Sequence, residues 1–338
     1  MVICYMATGS TRSTRRHLSN WSGSVHHRRD RRALLVGGAS LMLTSCAGVS
    51  GTVTTGAPSP TGQFVSVGTN RLHYQLMGDS GPKVIAIHGA SGNLRDWALG
   101  PAQALATDHQ VLLFDRPGFG FSDRARQNGS NLFVQAELMH DAARQLGFEG
   151  ATLIGHSFGG SVALAWALSR PESIGGLMLL AAPSQVWQGG LGLLTTLTGT
   201  PVVGPLLSRI LPAIASDDLV AGTVTRIFRP QTPPPGYVEA VGADLALRPE
   251  QIRNNSQDLK GLKDQVRKMV PRYPGIEMPV ELLHGDADTT VPLKVHSVPL
   301  SGQLPNAKLT VLEGIGHMPH HAATAEMRAA LLRLEVRR

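Results

Sequence analysis

The stretch Ala151-Thr152-Leu153-Ile154-Gly155-His156-Ser157-Phe158-Gly159-Gly160-Ser161-Val162-Ala163-Leu164 decides how this 338-residue chain is read. Residues 151–154 form a short apolar run that reads as a buried strand, and residues 160–168 read as a buried helix. Between them, Ser157 is flanked by Gly155 and Gly159. A strand-to-helix turn this tight leaves no room for side chains at the two glycines and pushes the serine hydroxyl out above the sheet, as in a nucleophile elbow. The Phe158 amide, at the start of the helix, points at any oxyanion formed beside that hydroxyl. The pentapeptide alone is weak evidence. The strand before it and the helix after it make it specific.

A serine hydroxyl is a poor nucleophile near neutral pH, so it needs a base, and the base needs an orienting acid. Both are expected later in the chain, acid first and histidine second. Residues 280–284 read as a strand, followed by the turn Gly285-Asp286-Ala287-Asp288-Thr289-Thr290-Val291-Pro292. Residues 308–312 read as another strand, ending in Gly314-Ile315-Gly316-His317-Met318. Both groups thus follow the C-terminal ends of strands, the edge at which open parallel sheets bind ligands.

Four motifs occur in order across residues 63–335. They are His88-Gly89 after the strand 84–87, Asp115-Arg116-Pro117-Gly118-Phe119-Gly120 after the strand 111–114, the elbow, and the paired Asp288 and His317 turns. Together they resemble the α/β-hydrolase fold. The resemblance is to its capped group: serine esterases, haloalkane dehalogenases, epoxide hydrolases, non-haem haloperoxidases and carbon–carbon bond hydrolases. The resemblance implies an eight-stranded, mostly parallel sheet with a helical cap insertion. It makes Ser157 the nucleophile, His317 the base and Asp288 the acid, because the family spacing is Gly, two residues, Asp, two residues, Val-Pro. Asp286 is the rival acid. Some relatives carry the acid after the preceding strand, but here that strand ends Ala181-Ala182-Pro183, without a carboxylate. The amides of Phe158 and Ala90 are the implied oxyanion donors.

With thirteen histidines in the chain, a lone histidine means little. His320 and His321 fall in the helix expected after His317 and read as surface or supporting residues. His88 and His156 are motif positions that pack near the site, and His284 ends a strand. The 115–120 turn reads as architectural, its glycines permitting a tight backbone. No His-Glu-x-x-His or cysteine cluster suggests a metal, and Gly118-Phe119-Gly120 does not open a helix as a dinucleotide fingerprint would. No cofactor is expected.

The formal charge of +7 invites a nucleic-acid reading, which its distribution removes. Residues 1–45 hold seven arginines and one aspartate, leaving the body with a net charge of +1. This front end reads as an export signal: Arg28-Arg29-Asp30-Arg31-Arg32, then an eleven-residue apolar run from 33 to 43, too short to span a bilayer. Leu43-Thr44-Ser45-Cys46 resembles a bacterial lipoprotein lipobox, which implies lipidation at Cys46 and a membrane-anchored protein of the cell envelope. The alternative is a generic cleaved signal with an incidental cysteine. Residues 46–62, rich in Gly, Ser, Thr, Pro and Ala, read as a flexible tether.

The hydrolase core is expected at 63–183 and 276–338, and the span 184–275, too long for a loop, reads as a helical cap. Val203, Leu206, Leu207, Ile210, Leu211 and Ile214 lie at helical spacing and predict an apolar cap underside that forms the pocket. The alternatives are ordinary packing of the helical subdomain on the sheet and a membrane-inserting role for the uncharged run 184–208.

Dehalogenases and epoxide hydrolases of this fold use an aspartate at the elbow, so Ser157 argues against both. The expectation is hydrolysis of carboxylic esters with a hydrophobic acyl or alcohol group. The alternatives are carbon–carbon bond hydrolysis or perhydrolysis, and, from another class, a non-catalytic surface-anchored binding protein.

Overall fold

The computed structural model describes residues 58–190 and 192–337. The export signal at 1–45, the lipidation site Cys46 and the tether up to 57 lie outside the described residues. Residues 58–62, expected to belong to the tether, lie against the core. Ser59 O accepts from Arg95 Nη2 at 2.5 Å, and the Gly62 amide donates to His73 Nε2 at 3.0 Å.

Eight strands form one sheet: β1 (Gln63–Val67), β2 (Asn70–Met77), β3 (Lys83–Ile87), β4 (Gln110–Phe114), β5 (Ala151–His156), β6 (Ile174–Leu180), β7 (Val280–Gly285) and β8 (Ala307–Leu312). Their order is β1-β2-β4-β3-β5-β6-β7-β8. β2 runs antiparallel to β1 and β4, and every pair from β4 through β8 is parallel. The chain winds outward in one direction from β3 to β4 and in the other from β5 to β8. The β3/β5 boundary is therefore the switch point where a ligand crevice opens. Ile87 pairs with Gly155 there, so the loop after β3 and the turn after β5 are neighbours.

The central strands are apolar on both faces because helices cover both. Along β3, Ile85 and Ile87 join the cluster containing Val162 and Trp166, while Val84 and Ala86 join the cluster containing Met327 and Leu331. The first cluster packs under α3 (Leu132–Gln145) and α4 (Phe158–Ser169), the second under the C-terminal helix α11 (Thr324–Val336). The segment after β3 forms two short helices, α1 (Arg95–Ala98) and α2 (Pro101–Leu105), broken at Gly100.

A helical insertion separates β6 from β7: α5 (Leu193–Thr198), α6 (Gly204–Ile214), α7 (Asp217–Phe228), α8 (Tyr237–Ala240), α9 (Ala243–Ala246) and α10 (Pro249–Met269). α10 fastens it to the core with polar side chains. Gln251 Nε2 donates to Gly120 O, Asn254 Nδ2 donates to Gly118 O (2.9 Å each), and Asp258 meets Arg116 and Arg124. The apolar stripe of α6 does not line the pocket as expected. Gly204, Ser208 and Leu211 are its buried residues, whereas Leu206, Ile210 and Ile214 are 61 %, 47 % and 63 % exposed. Gly204 packs on the end of α5, where a Cβ would stand 2.2 Å from Thr198 O, and Leu211 meets Ile252 of α10. No described helix is long and apolar enough to cross a membrane.

Candidate active site

Ser157 sits at φ 50°, ψ −123°, a conformation that side-chain-bearing residues avoid. The neighbouring glycines explain how the turn is made. A Cβ at Gly155 would stand 2.6 Å from Gly159 O and Gly160 Cα, and one at Gly159 would stand 2.5 Å from Ile87 O and His88 O. Only backbone fits, so the helix start presses against both β3 and β5.

The structure brings Ser157, His317 and Asp288 together. His317 Nδ1 lies 2.7 Å from Asp288 Oδ2, and its Nε2 lies 3.0 Å from Ser157 Oγ. A carboxylate only accepts, so Nδ1 carries the proton and Nε2 presents its lone pair to the serine hydroxyl. Asp288 is itself fixed by its turn: Oδ1 accepts from the amides of Thr290 (2.8 Å) and Val291 (2.9 Å). His284 does more than end β7. Its Nε2 faces both the Val291 carbonyl (2.7 Å) and Asp288 Oδ2 (3.2 Å), so it donates there, and its Nδ1 accepts from Ser297 Oγ (2.7 Å). Burial opposes ionisation of Asp288, but His317, His284 and the Val291 amide outweigh it and hold the carboxyl well below the usual range. Asp286 is exposed and accepts from the Gly314 amide at 2.7 Å, bracing the loop before His317.

On the opposite side, Gly89 touches the elbow: a Cβ there would lie 3.2 Å from Ser157 Cβ. Ala90 follows it, half-buried, and Phe158 is the first residue of α4, whose N–H has no partner within the helix. Arg116 is the residue that sequence reasoning passed over. It is fully buried; Nη2 donates to Gly89 O (3.3 Å) and Nη1 to Gln135 Oε1 (2.7 Å) and Asp258 (3.1 Å), while the guanidinium lies 4.4 Å from the Phe158 ring centre. Burial, countered by Asp258, lowers its pKa to about 10, and it remains a cation. The Asp115 carboxylate accepts from Leu94 N, Phe121 N and His73, as an architectural residue does.

A family model described as alpha/beta hydrolase fold matches residues 82–194. The curated 2-hydroxy-6-oxononadienedioate/2-hydroxy-6-oxononatrienedioate hydrolase of Comamonas testosteroni is 28 % identical over 270 residues, covering 77 % of this chain and 91 % of that protein. Among solved structures, an esterase from Exiguobacterium antarcticum superposes with a TM-score of 0.64 at 20 % identity, over 81 % of this chain and 99 % of that one. A bromoperoxidase from Bacillus anthracis superposes with a TM-score of 0.61 at 20 % identity, over 78 % and 95 %. This chain is an α/β-hydrolase-fold enzyme. The four motifs that open, cross and close the sheet are those of that fold, and the enzyme carries a site of the serine-hydrolase type.

The cavity of this α/β hydrolase begins at the loop 89–93 and at His156, the residue before Ser157, and is closed by the cap through α7, α8 and α9. Its wall is apolar, with Val220, Val224, Phe228 and Val241 from the cap and Met318 from the core. Asp96 and Tyr237 also line it. His320 and His321 are not surface residues: both donate to Asp96, His320 Nε2 at 3.1 Å and His321 Nε2 at 2.9 Å, and His320 is fully buried. Tyr237 from the cap donates to Asp96 Oδ1 at 2.6 Å. Burial opposes ionisation of Asp96, but His320 and His321 outweigh it and keep it anionic. Asp96 gave no signal in the sequence because its partners lie more than 140 positions away.

The ligand atoms of Asp96, His320 and His321 lie within 4.8 Å of one another, close enough for a metal ion. The donor set does not suit one. A ligating histidine normally donates its other ring nitrogen to an acceptor, and His320 Nδ1 is buried with no partner. The arrangement is that of a carboxylate held by three donors.

Proposed function

We propose that Ser157 is the nucleophile, His317 the general base and Asp288 its orienting acid, with the amides of Phe158 and Ala90 as the oxyanion hole. The observation that carries this is the chain of contacts Asp288–His317–Ser157 at 2.7 and 3.0 Å. Ser157 passes its proton to His317 as its oxygen adds to a substrate carbonyl. Collapse of the oxyanion expels the leaving group, which takes that proton, and water repeats the cycle to release the acid.

The reaction class with most support from the relatives is carbon–carbon bond hydrolysis, since hydrolases of 2-hydroxy-6-oxononadienedioate match along most of their length. This displaces ester hydrolysis from first place. The leaving carbon must then be conjugated to a second carbonyl, so that the expelled electron pair is delocalised before it is protonated. Ester hydrolysis is the second reading, favoured by one observation: no Lys or Arg is among the cavity-lining residues, which suits a neutral hydrophobic acyl group better than a dicarboxylate. The deciding assay compares p-nitrophenyl hexanoate with a 2-hydroxy-6-oxo-dienoate bearing an apolar group on the 6-oxo carbon. The expected result is a kcat/KM at least about tenfold higher for the dienoate. The opposite ranking would put the ester first.

We further propose export and lipid anchoring through Cys46, supported by the charged, apolar and lipobox-like segments of residues 28–46.

A further inference from the structure

Asp96 is the one charged side chain among the cavity-lining residues. Asp96 is a carboxylate, which can accept about four hydrogen bonds. Three are supplied by Tyr237, His320 and His321. His156 Nε2 faces the His317 carbonyl at 2.8 Å and must donate there, which leaves Nδ1 as a bare acceptor, buried and without a partner. His156 lines the cavity. Its position beside the buried His320 and His317 holds it neutral: burial and these two neighbours lower its pKa well below the ordinary value. The Asn93 side chain bonds within the protein at both ends, Nδ2 to Val241 O (2.8 Å) and Oδ1 to Arg95 N (3.0 Å). The Tyr237 hydroxyl has already given its proton to the Asp96 hydrogen bond. Arg95 reaches Ser59 O and is not among the cavity-lining residues.

An apolar cavity whose wall carries a partly satisfied carboxylate, with no cation, asks for a hydrogen-bond donor and repels an anion. A site built to pair with a substrate O–H or N–H discriminates strongly against an analogue that cannot supply it, because the acceptors are then desolvated with nothing in return. A carboxylate there would meet Asp96 at low dielectric, where like charges cost most.

We propose that the part of the substrate filling this cavity is an apolar chain carrying a donor that is not anionic, a hydroxyl or a protonated amine, read by Asp96. The enzyme then differs in substrate from its dioate-cleaving relatives even where it shares their chemistry. This rests on the reading of Ser157 as the reacting residue.

The experiment uses the full chain and four p-nitrophenyl hexanoates that differ only at the far carbon: hydrogen, hydroxyl, ammonium or carboxylate. Binding of the same four esters to Ser157→Ala is measured by calorimetry. In the wild type the hydroxyl or ammonium ester should exceed the carboxylate ester in kcat/KM by at least about tenfold, and Ser157→Ala should bind them in the same order. Asp96→Asn should shrink the hydroxyl-to-carboxylate ratio toward one, while Tyr237→Phe, which keeps the carboxylate, should preserve it. These are ratios within one protein, so a general loss of activity does not disturb them. Should Asp96→Asn not fold, the wild-type series and the binding order still decide. A carboxylate ester handled as well as the hydroxyl ester overturns the inference. If the esters bind in the stated order but none turns over, the pocket inference stands and the reading of the reaction fails.

Discussion

His156 donates its Nε2 proton to the backbone carbonyl of His317 across 2.8 Å. The residue before the serine thus holds the loop that carries His317, although 161 positions separate the two in sequence. Through this bond the elbow after β5 and the loop after β8 keep one spacing, which sets the 3.0 Å between His317 Nε2 and Ser157 Oγ.

His156→Phe keeps the ring and removes that donor. The His317 carbonyl is then left with a lost partner in a buried setting, a cost of about 1–3 kcal/mol. Urea denaturation should show that loss, and kcat should fall by about tenfold or more with KM little changed, because only the spacing of base and nucleophile is altered. An unchanged kcat would show that the loop is held by other contacts.

Ser157→Ala and His317→Ala should each remove at least about four orders of magnitude of activity while leaving the circular dichroism spectrum native. Ser157→Gly should be inactive yet more stable than the wild type by about 1 kcal/mol, because glycine adopts φ near +50° without strain. Retention of more than about a tenth of activity in any of the three would sink the assignment of roles.

Asp288→Asn should cost about a thousandfold or more, since the imidazole loses the acceptor that fixes its tautomer. Asp286→Asn should cost less than about threefold, because the side-chain oxygen can still accept from the Gly314 amide. The reverse ranking would mean that the orienting acid lies two residues earlier.

Stability should fall on acidification below about pH 6.5. His88, His296 and His320 are each lowered to about 4, chiefly by burial. Their unfolded forms bind protons near 6.5 while the folded forms do not, so the unfolded state gains as pH drops from about 6.5 to 4. Asp96 and Asp288 act lower down. Their folded pKa values are depressed, so the stability they contribute is present above the ordinary carboxyl pKa of about 4 and is lost as pH falls through the folded values. His296 makes the physical cause plain: its Nδ1 accepts from the amides of Ser184 (3.1 Å) and Gln185 (3.2 Å), and a proton there would face both donors. Urea midpoints between pH 7 and 4 should decline in the wild type and decline less steeply in His296→Gln. Parallel slopes in the two proteins would contradict this account.

On the proposed anchoring, Cys46→Ser should release the protein from the membrane fraction and leave its hydrolase activity intact, since Ser157, Asp288 and His317 belong to the fold that begins near residue 58. Fractionation with metabolic fatty-acid labelling checks this. A wild-type protein that takes up no label and stays in the soluble fraction removes the anchor.

The sequence by itself determined the sheet, the elbow and the identity of the three residues that meet above it. Each of these is announced by a local pattern: apolar runs that only a doubly covered strand tolerates, glycines where a Cβ would strike backbone, and acid and histidine turns at strand ends. Tertiary structure alone decided which face of α6 turned outward, because a stripe of apolar residues records periodicity and not the partner it meets. It alone also assembled the cavity wall. Asp96 follows β3, Tyr237 comes from the cap, and His320 and His321 follow β8, so their meeting depends on packing between segments far apart in the chain. Arg116 is the same case. Its neighbours in sequence form an ordinary turn, and its role beside Gly89 exists only because the folded core buries a cation there and supplies Asp258 from the cap to hold it.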